Sequence, residues 1–335
     1  MPVRRVISAI LPVCVVLVVS ANGPLAQNAA SQQDRSAAKH QPAPQTPPLA
    51  FILVGAGDIA SCKNLRGAEA TAQLIEHFGA NPDAAVPVIV FAAGDLAYES
   101  GTPAEFKNCY DPTWGRFKNR TFPAPGNHEY NGSPGTGYFQ YWGVQAGEAG
   151  RGYYSYDLGD WHIIALNTNC ASPPLGGCAP GSPQELWLRK DLAKYPHSCI
   201  LAYGHHPLFS SGLIREHAVQ PKLRPLWEVL YEAHADVVLA GHEHSYERFA
   251  PQNPNGHLDP ANGIREIVVG TGGRGLWPLG GATPNSEYRN WNALGVLKLT
   301  LSRGKYKWEF VPVLPAPEGF LPDSGEGTCH NPPAP

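Results

Sequence analysis

Val237-Val238-Leu239-Ala240-Gly241-His242-Glu243-His244 is the stretch that decides how this chain is read. Its four apolar residues have the length and composition of a buried strand. The glycine after them lets the backbone turn sharply, so the two histidines are expected in the loop just past the strand's C-terminal end. The same grammar recurs upstream. Phe51 to Ala56 runs into Gly57-Asp58, and Val86 to Ala93 into Gly94-Asp95. Thr121 to Pro125 runs into Gly126-Asn127-His128, and Cys199 to Tyr203 into Gly204-His205. Strands that end this way present their polar residues along one edge, the edge at which open α/β sheets bind ligands.

Helical patterns fill the gaps, which makes the class α/β. Arg66 to Phe78 distributes Ala68, Ala72, Leu74, Ile75 and Phe78 as a helix does. Ser182-Pro183-Gln184-Glu185 reads as a helix start, with Ser as N-cap, Pro in the first turn and Glu three residues on. Leu223 to His234 predicts another helix. Further strands are expected at Ile264 to Gly270, Leu294 to Leu301 and Tyr306 to Val313, the last two joined by a hairpin at Ser302-Arg303-Gly304.

The five loops carry Asp58, Asp95, Asn127, His128, His205, His242 and His244, oxygen and imidazole donors of the kind that bind Zn, Fe or Mn. One Gly-Asp pair says little; five such signatures in this order are specific. The series Gly57-Asp58, Gly94-Asp95-Leu96-Ala97-Tyr98, Gly126-Asn127-His128-Glu129, Gly204-His205-His206-Pro207 and Gly241-His242-Glu243-His244 resembles that of the calcineurin-like metallophosphoesterases. The resemblance implies a four-layer α/β/β/α sandwich with two mixed β-sheets and two metals at the strand ends. In that superfamily a His commonly stands two residues after the first Asp; here the position is Ala60. Purple acid phosphatases lack that His and use a Tyr three residues after the second motif's Asp, which here is Tyr98. This pairing resembles the purple branch. There is one departure: Gly57-Asp58-Ile59-Ala60 lacks the glycine that plant and animal enzymes carry after the variable residue.

By that resemblance, Asp58, Tyr98 and His244 hold Fe(III), Asn127, His205 and His242 hold a divalent Zn, Fe or Mn, and Asp95 bridges the two. The chemistry is consistent, since phenolate and carboxylate are hard anionic ligands while Asn and two imidazoles suit a divalent ion. The reaction implied is hydrolysis of phosphate monoesters, whose enzymic acceleration reaches about 10²¹-fold. General acid catalysis supplies only about 10²–10⁴ of that. The nucleophile is therefore assigned to a metal-bound hydroxide. His128 is the candidate for contacting phosphate and protonating the leaving group, with His217 as a candidate assistant. A phosphodiesterase or nucleotidase on the same scaffold is the near alternative, and an exported metal-binding protein without catalysis the distant one.

Composition frames the remaining expectations. The chain has 335 residues, 43% hydrophobic and 16% charged, enough for a sizeable core. A net charge of -3 gives no general attraction to nucleic acid duplexes or anionic membranes, so the expected partner is a small phosphate ester. Arg4 and Arg5 before the apolar run Val6 to Val19 read as a cleavable export signal, with an uncleaved anchor as the alternative. The reading is a signal at 1–26, a linker at 27–48, a catalytic domain at 49–314 and a Pro/Gly-rich tail at 315–335, in a secreted or periplasmic protein with no span in its mature part. Beyond Cys14 in the signal, six cysteines remain, which suits disulfides after export. They allow fifteen pairings. Cys170 with Cys178 is favoured because the Pro/Gly-rich loop between them closes easily.

Several residues have plainer readings. His205 and His206 compete for one ligand role, and the His-x-Pro pattern favours His205. Tyr98 could serve as a core tyrosine. Glu129 and Glu243 are expected to support ligands or form salt bridges. Gly270-Thr271-Gly272-Gly273-Arg274-Gly275 lacks the ending of a phosphate-binding P-loop and reads as a loop flanking the metal site. The tryptophans, Trp277 and Trp291 among them, read as core or loop anchors.

Overall fold

The computed structural model describes residues 50–79, 86–171, 176–196, 198–213 and 219–331. The export signal, the linker and His217 lie outside the described residues. Two mixed sheets form the body. The first has the spatial order β15 (Ser324–Thr328), β14 (Lys305–Pro312), β13 (Gly295–Ser302), β1 (Ala50–Ala56), β3 (Val88–Ala93), β5 (Thr121–Ala124). Strands β1, β3 and β5 run parallel, and β13 to β15 are antiparallel additions. The second has the order β12 (Ser286–Asn290), β10 (Tyr246–Phe249), β11 (Arg265–Val269), β9 (Val237–Ala240), β8 (Cys199–Tyr203), β7 (Trp161–Ala165), β6 (Tyr154–Leu158). Its centre, β7-β8-β9-β11, is parallel. A short ladder pairs β2 (Ala60–Ser61) with β4 (Ala97–Tyr98).

Side-chain alternation explains the layering. In the second sheet Ile163, Leu201, Leu239 and Ile267 join the core shared with the first sheet. Their neighbours Ile164, Ile200, Ala202 and Val238 turn the other way, toward the helices Pro183–Leu192 and Arg224–Glu232. Ring pairs cross between the sheets, Phe91 with Tyr203 and Phe122 with Tyr156 among them. The helix Arg66–Gly79 buries Ala68, Thr71, Ala72 and Ile75 as its share of the first core. The result is the α/β/β/α sandwich that the resemblance implied.

Every strand that the sequence predicts is present within two residues of its expected limits, and β13 and β14 are joined by the Arg303-Gly304 turn. The Ser182 hydroxyl accepts the Glu185 N–H, as an N-cap should. The Glu185 carboxylate, however, takes the N–H of Gly181 rather than that of Ser182.

The segment 315–335, expected as a tail, contributes β15 to the first sheet, so the folded body continues past Leu314. Gly325 and Gly327 made it look irregular. In the sheet their missing side chains make room for the rings of Trp308 and Tyr306 on the neighbouring strand. Cys329 then bonds to Cys199. Cys170 pairs with Cys178 as expected, and Cys62 with Cys109. Among the described residues, no helix is long and apolar enough to cross a membrane.

Candidate metal centre

The parallel strands of both sheets deliver their C-terminal ends to one place. Gly57 and Gly241 touch there: a Cβ on Gly241 would sit 2.7 Å from both the Ala93 carbonyl oxygen and Asp58 Oδ2. Glycine at this crossing lets a loop from each sheet approach closely enough to share ligands.

Seven side chains converge. Tyr98 Oη lies 2.8 Å from Asp58 Oδ1, 3.0 Å from Asp95 Oδ2 and 3.2 Å from His244 Nε2. His205 Nε2 lies 3.0 Å from Asn127 Oδ1, 3.2 Å from His242 Nδ1 and 3.3 Å from Asp95 Oδ1. Asp95 thus turns one oxygen to each group. Asp58, Asp95, Tyr98, His205 and His244 are all buried. The sequence-predicted donors are therefore brought together without exception.

The donor set fits cations. Burial raises the cost of ionising Asp58, but His244 and His205 outweigh it and hold the carboxyl below its usual range. Asp95 is likewise buried, and His205 and His128 hold it low. The positive influence on both carboxylates therefore comes from imidazoles of the same cluster. The His205 Nδ1–H donates to the Ala93 carbonyl at 2.9 Å, so in the neutral ring the Nε2 lone pair faces Asn127 and His242. Burial works against charging His205, but attraction to Asp95 raises it to about 9. Tyr98 is pushed well above its usual value, first by burial and then by Asp58 and Asp95. Among the described residues His244 Nδ1 is buried with no hydrogen-bond partner, while its Nε2 points into the cluster. Crowded acceptors of this kind accommodate metal ions.

Supporting groups hold the loops. Glu129 makes no salt bridge among the described residues; its carboxylate accepts the N–H groups of Asp95, Leu96, Ala97 and Gly126. Burial, then repulsion from Asp95, raises it to about 7. His128 donates Nδ1–H to the Glu99 carbonyl at 2.6 Å, and its Nε2 stands 3.7 Å from Asp95 Oδ2. The Arg274 backbone N–H bonds the Asp58 carbonyl, and its guanidinium lies 5.0 Å from the centre of the Tyr98 ring, so the glycine-rich loop does flank the site. Trp277, half exposed, stacks on His244 at 3.8 Å between ring centres, which makes it a wall of the site rather than a core anchor.

Sequence reasoning missed Thr168. It follows β7 in Asn167-Thr168-Asn169, and its hydroxyl accepts the backbone N–H groups of both His205 and His206. No glycine marks that strand end; the only available signal was a cluster of short polar residues after the apolar run Ile163 to Leu166.

Several known proteins are similar to this chain. Purple acid phosphatase 23 of Arabidopsis thaliana is 28% identical over 260 residues, covering 67% of this chain and 52% of the relative. Purple acid phosphatase 15 of the same plant is 28% identical, covering 56% and 40%. The chain thus spans about half the length of the curated relatives it matches. A yellow lupin purple acid phosphatase, PPD1, superposes with a TM-score of 0.66 at 20% identity, covering 84% of this chain and 55% of that one. GAP50, described as the anchor in the inner membrane complex of Plasmodium, superposes at 0.62 with 15% identity, covering 84% and 89%. At such identities the superpositions speak for the fold alone. The family model for the calcineurin-like phosphoesterases matches residues 53–246, more than half of the chain, and the chain belongs to that family.

Proposed function

We propose that this protein hydrolyses small phosphate monoesters at a two-metal centre, in the manner of the purple acid phosphatases it resembles. The observation that carries the reading is the division of donors around Asp95, whose two oxygens face the Asp58/Tyr98/His244 and Asn127/His205/His242 groups. The first group suits Fe(III) and the second a divalent Zn, Fe or Mn. Such ions, when bound, supply an acidified water and offset the charge on the phosphoryl oxygens.

The chain's own residues account for the rest. His128 is anchored through Nδ1, so Nε2 is the atom that carries a proton to the departing oxygen. Glu129 fixes the loops that present Asp95 and Asn127. Trp277 and Arg274 form one flank of the entrance. His217 is the proposed assistant of His128. Three disulfides support export to an oxidising compartment, in line with a cleaved signal at 1–26 and a linker at 27–48.

Metal analysis with a visible spectrum, and assays on a monoester, a bis-ester and nucleotides at several pH values, test the reading. The expected outcome is one iron and one divalent ion per chain, a violet band that Tyr98→Phe abolishes, and fastest turnover of the monoester. An active, colourless protein holding only zinc or manganese removes the purple assignment and keeps the phosphoesterase. A fully metal-loaded chain that turns over no phosphoester removes the enzyme.

A further inference from the structure

His205 and His206 are adjacent in sequence, yet their rings are set in opposite hydrogen-bonding senses. His205 donates through Nδ1 to a carbonyl, so in the neutral ring its Nε2 holds the lone pair. His206 Nδ1 faces the Thr168 hydroxyl at 2.9 Å. That hydroxyl already accepts the N–H of His205 at 3.1 Å and of His206 at 2.9 Å. A hydroxyl has two lone pairs and one proton. Two backbone donors occupy the lone pairs, so the proton is directed to His206 Nδ1, which must act as acceptor. The proton of the neutral imidazole then sits on Nε2.

A ring fixed in this way is a poor metal ligand through either nitrogen: Nδ1 is engaged and Nε2 carries hydrogen. It is nevertheless at the centre. Its ring lies 4.5 Å from that of His242 and 5.0 Å from that of His205, and one of its nitrogens lies within 4.8 Å of theirs. It is half-buried beside the divalent group, and Nε2–H is the one donor its ring has left to offer.

We propose that His206 binds a phosphoryl oxygen of the substrate, and of phosphate released from it, through Nε2–H, with Thr168 as the positioning residue that sets its tautomer. The inference rests on the phosphoesterase reading of the same centre. A neutral donor costs nothing to desolvate as a charge and keeps its proton through turnover, a role distinct from the proton transfer assigned to His128. Hydrogen bonds to charged groups give about ten- to hundredfold in affinity.

The test uses the full, metal-loaded chain and inorganic phosphate as probe, with binding measured by calorimetry and metal content measured alongside. His206→Ala is expected to keep both metals and bind phosphate about ten- to hundredfold more weakly. His206→Gln, whose amide can offer an N–H near the same place, regains part of the loss. Thr168→Ser, which keeps the hydroxyl, binds phosphate more tightly than Thr168→Val. The zinc-loaded wild type gives a readout independent of any variant: its imidazole ¹⁵N spectrum shows His206 with Nδ1 bare and Nε2 protonated. Loss of one metal in His206→Ala, unchanged phosphate affinity, or a bare Nε2 overturns the inference. The two readings fail separately. A wild type that holds phosphate through His206 but cleaves no ester defeats the enzyme and leaves this contact standing; an active wild type indifferent to His206→Ala does the reverse.

Discussion

Asp58, Asp95 and His242 hold backbone φ angles of +61°, +52° and +69°, a region that costs residues with side chains on the order of 1 kcal/mol each. Something in the surroundings must offset that cost, and for Asp95 it is Glu129. Its carboxylate accepts the N–H of Asp95 and of the two residues after it, and that of Gly126 across the gap. Glu129→Gln leaves a single acceptor oxygen for four donors. It is expected to weaken metal binding by about ten- to hundredfold, as loss of a ligand's support typically does. A competition titration with a chelator measures this, and an unchanged affinity would show that the loops hold themselves. The candidate donors were legible at this scale because Gly-Asp and Gly-His pairs end apolar runs. The support was legible only as a role: Glu129 was expected to support ligands or form a salt bridge, but the four backbone bonds through which it does so have no signature in a side-chain sequence. Thr168 was hidden for the same reason, since its role lies in two main-chain N–H groups brought from another strand.

Strand β11 shows what alternation hides. Ile267 and Val269 face the core between the sheets, while Glu266 points the other way and is wholly buried. Its carboxylate takes the N–H groups of Leu208 and Phe209, tying down the segment that follows His205-His206-Pro207. Burial dominates and raises it from 4.5 to about 8. Between those values the folded protein keeps a proton that the unfolded chain has lost, so this group's contribution to stability falls as pH rises. Glu266→Gln is expected to flatten the decline of Tm between about pH 4.5 and about pH 8. Part of the slope should remain, because burial also raises Glu129 and Glu243 to about 7. Parallel Tm profiles for variant and wild type would refute the assignment. The elements themselves were largely readable: apolar runs bounded by glycine end as strands at all five loops of the centre. β15 was not, because Ser-Gly-Glu-Gly-Thr carries no apolar period; its place depends on the aromatic residues of the strand beside it.

At the scale of the whole molecule, two sheets are held together by a shared core, by one disulfide and by the centre itself. Cys199 begins β8 in the second sheet, and Cys329 follows β15 of the first, 130 residues away. Replacing both by serine is expected to cost about 2–5 kcal/mol in urea unfolding. A loss under about 1 kcal/mol would mean that the ladder between β14 and β15 holds the C-terminal segment unaided. The candidate donors divide along the same seam. Asp58, Asp95 and Asn127 follow strands of the first sheet, Tyr98 ends the short β4 that comes just after β3, and His205, His242 and His244 follow strands of the second. An ion seated among them is a rivet through both plates of the sandwich. At a free concentration about a thousand times its dissociation constant it adds about 4 kcal/mol to folding, so stripping it should lower Tm in a scan as well as stop turnover. A chain that leaves its compartment of synthesis before meeting metal would travel loose-jointed and tighten only on arrival.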